Sequence, residues 1–161
     1  MKIVYLSPSS IPSRAANSIH VMKMCEALSL NGHEVTLFAQ YGDHSFQSDF
    51  EIYGVKNNFK IIKNNTKYFG RFSSIFHGLI SAFKCIFIRP DLIYSRHTYS
   101  LFFASFLNIN MIHEDHHLPP LIHKVLLKKI IIKSQTKVVL ISQSLKEDYL
   151  NLRIFFLYFF L

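Results

Sequence analysis

KIVYLSPSSIPSRAANSIHVMKMCEALSLNGHEVTLFA, residues 2–39, contains a strand, a helix and a second strand in immediate succession. Residues 3–6 form a β-branched and aromatic run that ends at turn-forming residues, which is typical of a buried strand. Residues 35–39 repeat that pattern after Gly32, a residue that favours the end of a helix. Between them, apolar residues recur at helical spacing: Val21, Met24, Cys25 and Leu28.

The segment between the first strand and the helix is polar, and we predict a loop over residues 7–16. Asn17 or Ser18 is expected to cap the helix by accepting a backbone N–H bond. This loop would lie at the carboxyl end of the first strand, where ligands bind in parallel sheets.

Strands and helices alternate about six times along the rest of the chain. Such alternation predicts an α/β fold, a parallel sheet with helices on both faces. Further strands are expected at 59–62, 92–94, 109–114 and 137–141, and helices at 71–89, 98–107, 119–133 and after 144. In the last helix, Ser144 and Glu147 have the spacing of a capping box. The ligand-facing loops would then be 7–16, 95–98, 114–120 and 142–144.

Composition indicates one globular domain over residues 1–150. The chain has 161 residues, of which 50% are hydrophobic and 17% charged. Cys25 and Cys85 lie in apolar helical patterns and are expected to be buried, reduced thiols. The N-terminal apolar run is too short for a signal peptide, and no uninterrupted apolar segment has the length of a transmembrane helix. We therefore expect a cytoplasmic protein.

Residues 151–161 differ from the rest of the chain. Residues 155–161 are seven consecutive apolar residues without strand or helix periodicity. We predict that this tail is not native folding sequence and results from a truncated or frameshifted reading frame. A terminal strand or a membrane-touching anchor is the alternative.

Four segments, in order, resemble glycosyltransferase family 4. The opening residues 12–37 are similar to the start of that family, and residues 91–96 resemble its strand ending in an arginine. Residues 112–119 (IHEDHHLP) resemble its Glu-x-His-Asp-Leu-Pro strand end, with His117 in place of the usual Asp. Residues 138–146 resemble its strand-then-serine segment. The similarity covers roughly residues 1–150.

The resemblance implies the N-terminal, Rossmann-like half of a GT-B fold, which mostly binds the acceptor in a retaining sugar transfer. It places His116 at the cleft near the transferred sugar, as the candidate catalytic residue. Arg14, Asn17, Arg96 and Ser142 would lie on the acceptor or phosphate side, and Ser142 is expected to be a helix-entry residue. Many relatives carry a glycine pair in the first loop, but residues 7–17 here contain none, so arginine side chains would have to meet a phosphate.

The family's donor site lies in a second domain, and nothing after Leu150 resembles it. The resemblance thus implies a domain that is inactive alone and acts on a glycan or lipid-linked acceptor. A separate chain would supply the donor half, and the nucleotide-sugar, a co-substrate, would bind mainly there; no other cofactor is expected. The alternative is a non-catalytic remnant or a subunit that binds the acceptor or a partner.

Two other enzymatic functions are disfavoured by the sequence. His113-Glu114-Asp115-His116-His117 matches the zinc-protease motif His-Glu-x-x-His, but it follows a strand-like run and precedes two prolines, so no metal site is expected. The first loop lacks the glycines of a dinucleotide-binding oxidoreductase.

The formal net charge of +8 fits an anionic partner. No nucleic-acid module is recognisable around the lysine clusters. A lysine-rich helix over 119–133 favours peripheral association with an anionic inner-membrane surface. Core packing is expected for most phenylalanines of the helix from Arg71 to Phe87.

Overall fold

The computed structural model describes residues 1–43, 47–134, 136–151 and 158–160. Its strands are β1 (Lys2–Ile11), β2 (Glu34–Tyr41), β3 (Lys60–Asn64), β4 (Leu92–Ser95), β5 (Asn110–Asp115), β6 (Lys137–Leu140) and β7 (Tyr158–Phe160). Its α-helices are α1 (Ala16–Leu30), α2 (Asp49–Tyr53), α3 (Ser73–Ile88), α4 (Thr98–Ala104), α5 (Leu121–Ser134) and α6 (Gln143–Asn151), and a 3-10 helix (Lys67–Phe72) precedes α3.

All strand pairs in the sheet are parallel, in the order β3-β2-β1-β4-β5-β6-β7. The first three strands progress to one side of β1, and the chain then returns to place β4 on its other side. Tyr5 marks this junction, since it pairs with Leu37 of β2 and with Tyr94 of β4. Ligands in such folds bind outside the carboxyl ends of the strands at the point where the order reverses.

Helices cover both faces of the sheet, as the sequence predicts, because side chains alternate across each buried strand. On one face, Tyr5 and Leu37 pack among the α1 side chains Val21, Met22 and Cys25. On the opposite face, β-strand residues pack against α3, α4 and α5: Val4, Leu6, Phe38, Ile93 and Met111 meet Ala82, Cys85, Leu101, Leu127 and Ile130. Both cysteines are free and buried, as expected.

The predicted loop over residues 7–16 is wrong in its first half. β1 continues to Ile11 and pairs again with β2 at Ser10 and Ile11 after a shift in register. Ser7 and Ser9 form a hydrogen bond at 2.9 Å within this buried segment, which satisfies hydroxyls that suggested a solvated loop.

The predicted N-cap of α1 is also wrong. Ala15 occupies the cap position and makes no side-chain cap hydrogen bond. Ser18 instead donates its hydroxyl to the carbonyl of Ser10 at 2.9 Å, so it ties α1 to the end of β1. Asn17 is exposed in the first turn.

The capping box predicted at Ser144 and Glu147 does not form, because α6 begins at Gln143, two residues earlier than expected. The Leu145 amide donates to the Ser142 hydroxyl at 3.2 Å, which makes Ser142 the capping residue. Its predicted position at the entry to a helix is therefore confirmed.

The phenylalanine-rich helix packs opposite to expectation. α3 buries small and polar side chains, namely His77, Gly78, Ser81, Ala82 and Cys85, while its large apolar side chains point outward. A Cβ added at Gly78 would lie 2.8 Å from the backbone nitrogen of Ser100. The close approach of α3 to the start of α4 therefore leaves no room for large residues on the inner face.

Three residues of the apolar C-terminal tail form a strand. Tyr158–Phe160 forms β7, which pairs in parallel with Val138, Val139 and Leu140 of β6. The rest of the tail, residues 152–157 and 161, lies outside the described residues. The origin of residues 151–161 in a truncation or frameshift stays a prediction.

Candidate functional site

Glu114, near the carboxyl end of β5, lies at the centre of a polar cluster. Its side chain is fully buried, and it faces the side of the sheet that α1 covers. Around it lie residues from β1, α1 and β4, and from the segments that follow β4 and β5: Tyr5, His20, Tyr94, Arg96 and His116. The cluster therefore lies at the edge of the sheet where its strand order reverses.

Two tyrosines hold one oxygen of this carboxylate. Tyr94 donates its hydroxyl to Glu114 Oε2 at 2.8 Å, and Tyr5 donates to the same atom at 3.5 Å. Burial and the neighbouring Glu114 charge raise the pKa of both phenols, so both remain protonated donors. The stacked rings, 5.0 Å apart at their centroids, fix the two hydroxyls side by side.

Three basic side chains surround the other oxygen. His116 Nε2 is hydrogen-bonded to Glu114 Oε1. His20 Nε2 lies 3.2 Å and Arg96 Nε 3.7 Å from that same atom. The His20 and His116 rings meet edge to face, with centroids 5.4 Å apart.

The local environment keeps Glu114 ionised. Burial raises its pKa, but hydrogen bonds from His116 and Tyr94 and the charge of Arg96 outweigh burial, so the pKa falls below its ordinary value. An ionised carboxylate only accepts hydrogen bonds, so His116 must carry its proton on Nε2. In the neutral form of the ring, Nδ1 would then be the acceptor nitrogen. Glu114 thereby sets both the orientation and the tautomer of His116.

Two nitrogens of the cluster remain available to a ligand. Within the described part of the chain, His20 Nε2 and Arg96 Nη1 are buried and have no aligned hydrogen-bond partner. Burial lowers the pKa of His20 more than the nearby Glu114 raises it, which favours a neutral imidazole there. Unpaired buried donors cost stability, so a polar ligand that accepts from them is a natural partner.

His20, Glu114 and His116 could also hold a metal ion, since their ligand atoms lie within 4.8 Å of one another. However, the guanidinium of Arg96 already lies beside the same carboxylate oxygen. A second cation there would be repelled, so the arrangement suits a hydroxyl-bearing or anionic ligand better.

Of the residues predicted as a site, His116 and Arg96 come together around Glu114. Arg14 is exposed on the segment that leads into α1, Asn17 is exposed in the first turn of α1, and Ser142 is exposed at the start of α6. Among the described residues, none of these three contributes a hydrogen bond or ion pair to Glu114.

The residues of the zinc-protease motif do not adopt the geometry that the motif requires. His113 lies on β5, where its Nδ1 is 3.0 Å from the Ser95 carbonyl and its Nε2 is 3.7 Å from Asp115. His117 is exposed in the segment after the strand. Since strand residues alternate between faces, His113 and Glu114 point to opposite sides of the sheet.

A cavity of about 800 Å³ lies beyond the carboxyl ends of β1, β2 and β3. Pro12, Tyr41, Asp43 and Lys67 line part of it. Lys63, also in its wall, is paired with Asp49 at 2.6 Å. Because the charged residues that line this cavity are partly paired with each other, we assign the candidate site to the Glu114 cluster. The cavity then provides open space along the same edge of the sheet.

A family model described as Glycosyltransferase Family 4 matches residues 18–154 of the chain. The chain belongs to glycosyltransferase family 4. The match includes β2 to β6 and the residues His20, Arg96, Glu114 and His116, so the Glu114 cluster, apart from Tyr5, lies within the family domain.

The crystal structure of a glycosyltransferase from Rickettsia africae ESF-5 is similar to this family 4 chain, with a TM-score of 0.61 and 15% sequence identity. At that identity the likeness shows the fold alone. The alignment covers 92% of this chain and 38% of that chain, so the sequence spans well under half of the structure it matches. No curated protein sequence matches the chain.

Sequence reasoning missed Glu114 as the centre of the site and His20 as one of its members. The signal available in the sequence was strand alternation, which separates Glu114 from its neighbours on β5 by face. That α1 covers the same face becomes evident only when the β1–α1–β2 unit is folded beside β5. Tyr5 and Tyr94 were assigned only to strands, although their pairing in register brings both hydroxyls to the carboxylate.

Proposed function

We propose that this family 4 domain forms the acceptor side of a glycosyltransferase that moves a sugar from a nucleotide-sugar to a glycan or lipid-linked acceptor. The observation that carries the proposal is His116, half-buried at the carboxyl edge of a parallel sheet and oriented by the buried Glu114. Such an orienting pair is common where a histidine must meet a reacting group in one tautomer.

His116 is the proposed sugar-contacting residue. In the neutral form of the ring, Nδ1 can accept a hydrogen bond from a sugar hydroxyl while Glu114 holds the opposite nitrogen. Preorganised contacts of this kind cost no reorganisation when the reaction occurs. Arg96 Nη1 is proposed as a donor to the same ligand, since it has no hydrogen-bond partner among the described residues. His20 Nε2, which lies 3.2 Å from Glu114 Oε1 without forming an aligned hydrogen bond, is proposed as a second contact.

We further propose that most contacts to the nucleotide-sugar are made by residues other than these, either in the same polypeptide or in another. Support comes from the length relation, since the chain spans 38% of the glycosyltransferase structure that it resembles. Transition-state stabilisation requires both sides of a cleft, so we propose that these residues by themselves do not transfer sugar. Arg14, Asn17 and Ser142 are proposed to lie at the rim of the acceptor side.

The proposal is tested by a transfer assay with mixed nucleotide-sugars and a crude lipid acceptor fraction. The chain is assayed alone and together with a family 4 donor domain. We expect product only in the mixture, and we expect His116→Ala to remove most of that product. Leu30→Gln, at an exposed position on the last turn of α1, is the matched control and should leave it unchanged.

Product from the chain alone would show that the donor site lies within these residues. Unchanged product from His116→Ala in the mixture would exclude His116 as a sugar contact. Acceptor binding by the chain without transfer in any mixture would favour the alternative, a subunit that binds an acceptor or a partner without catalysis.

A further inference from the structure

The outer surface of α3 exposes a row of large apolar side chains, here called the α3 ridge: Phe76, Leu79, Phe83, Ile86 and Phe87. Phe83 is 58% exposed and Phe87 72% exposed, which is unusual for side chains of this size. Phe69 extends the ridge beyond the helix, since its ring stacks on Phe76 with centroids 4.0 Å apart. The ridge is therefore an apolar, largely aromatic surface, and such surfaces mark interaction sites.

The helices on this face carry positive charge only. α3, α4 and α5 contain no aspartate or glutamate. Exposed basic residues flank the α3 ridge and continue along α5: Lys67, Arg71, Arg89, Lys128, Lys129 and Lys133. This charge favours a partner whose whole surface is anionic over a partner that carries both positive and negative groups.

α5 has the same mixed character. Leu121, Ile122 and Val125 are exposed on the helix that carries the lysines. At its end, Lys133 Nζ lies 3.3 Å from the centroid of the Phe106 ring, which itself is 61% exposed. Apolar side chains with ammonium groups beside them are typical of helices in the interfacial region of a membrane.

By length and composition, the helical stretch Lys67–Ile88 is suitable for crossing a membrane, and 28% of its most apolar window is buried. Its packing indicates a different arrangement. His77 Nε2 donates to the Ser7 carbonyl at 2.8 Å, and Asn64 donates to Ser81 at 2.9 Å, so the inner face of α3 is bonded to the sheet. Only the outer face is available.

We infer that the α3 ridge and the basic surface of α5 dock this domain, without spanning, onto the interface of an anionic lipid bilayer. The sequence indicated α5 for such a role, whereas the structure assigns the apolar contact mainly to α3. The N-terminal end of α3 lies at the same edge of the sheet as the Glu114 cluster, because Ser74 contacts His97 just after β4. A docked domain would thus hold its site near lipid-linked molecules. The inference does not depend on sugar transfer and can be tested without it.

The absence of tryptophan from the sequence allows a direct test. Phe83→Trp places one fluorophore on the α3 ridge, and Leu30→Trp places one on α1, on the opposite face. The full chain is titrated with vesicles of phosphatidylcholine mixed with phosphatidylglycerol, and with vesicles of phosphatidylcholine alone. We expect a blue shift, and quenching by brominated lipid, for Phe83→Trp with anionic vesicles only. Leu30→Trp should show neither.

Affinity is measured by co-sedimentation with the same vesicles. The double variant Phe83→Gln/Phe87→Gln should bind about tenfold more weakly than the unmodified chain, and Lys128→Gln/Lys129→Gln should weaken binding in a salt-dependent way. Leu30→Gln is the control for an exposed apolar residue and should bind normally. Circular dichroism checks that each variant is folded.

The inference is overturned if the unmodified chain does not bind anionic vesicles, or if Phe83→Trp and Leu30→Trp respond alike. It is also overturned if light scattering shows a dimer in the absence of lipid that Phe83→Gln/Phe87→Gln dissociates. That result would identify a second copy of the chain as the occupant of the α3 ridge.

Discussion

His116 donates its Nε2 proton to Oε1 of Glu114, two residues earlier and fully buried at the end of β5. The first prediction concerns this carboxylate. Glu114→Gln keeps the side-chain volume but leaves Arg96 and two imidazoles without their anion. We expect the free energy of unfolding to fall by about 3 kcal/mol, the cost of breaking a buried ion pair.

Urea denaturation near neutral pH measures this loss. Glu147→Gln makes the same chemical change at an exposed position on α6 and should alter stability by less than about 0.5 kcal/mol. Equal effects of the two substitutions would mean that Glu114 does not organise the cluster.

A second prediction is that acid destabilises the fold at pH values well above the ordinary pKa range of carboxylates. Burial lowers the pKa of His77 to about 4 and that of His97 to about 3, against an ordinary value of 6.5. The unfolded chain therefore binds these protons first, and stability falls as the pH drops below 6.5 towards the folded-state values. Between about pH 7 and about pH 5 we expect a loss of about 2 kcal/mol per histidine.

Urea denaturation across that pH range checks the prediction. His77→Gln removes one titrating ring and should reduce the pH dependence by about half. The lowered pKa values of Glu114 and Asp115 add a further loss below their ordinary values of 4.5 and 3.8, in the same direction. A flat stability profile between about pH 7 and about pH 5 would contradict the buried, neutral state of the two histidines.

The third prediction tests the close approach of α3 to α4. In an exposed helix, Gly→Ala stabilises by about 1 kcal/mol. At Gly78 the added Cβ would lie 2.8 Å from Ser100 N and from Tyr99 C, both backbone atoms. We expect Gly78→Ala to destabilise by about 1–3 kcal/mol instead. Thermal unfolding gives the sign directly, and a stabilised variant would disprove the tight contact.

The fourth prediction separates the observed helix cap from the expected one. Ser142 accepts the Leu145 amide, so Ser142→Ala should cost about 1 kcal/mol. Ser144→Ala, within the first turn of α6, should cost clearly less because Ser144 is not the capping residue. Chemical denaturation of both variants decides between the two caps. A larger loss of stability for Ser144→Ala than for Ser142→Ala would favour the predicted capping box.

The sequence predicts the architecture well because most buried strands have a compact apolar run and most of the longer helices have a periodic stripe. The five-residue helix α2 has no such stripe and was not predicted. It fails where local polar groups have tertiary partners. Ser7 and Ser9 suggested a loop, yet they bond to each other inside a longer β1. Ser18 suggested a cap, yet it bonds to the Ser10 carbonyl.

The apolar stripe of α3 shows a different limit. Periodicity identifies the helix but does not say which face is inside. The small residues Gly78, Ser81 and Ala82 face the core because α4 lies too close for phenylalanine. The candidate cluster shows a related limit. The family resemblance indicated His116 and Arg96, whose roles stay predictions, but only the sheet register brings Glu114 and Tyr94 to them.

The central claim, that the Glu114 cluster binds the reacting sugar, is tested most directly by titrating nucleotide-sugars and glycan acceptors against the imidazole NMR resonances of the chain. The account predicts shifts at His116 and His20, no shift at His33 beside the amino end of β2, and loss of those shifts in Glu114→Gln. The account is contradicted if the ligands leave the resonances of His116 and His20 unchanged, or if the shifts persist in Glu114→Gln.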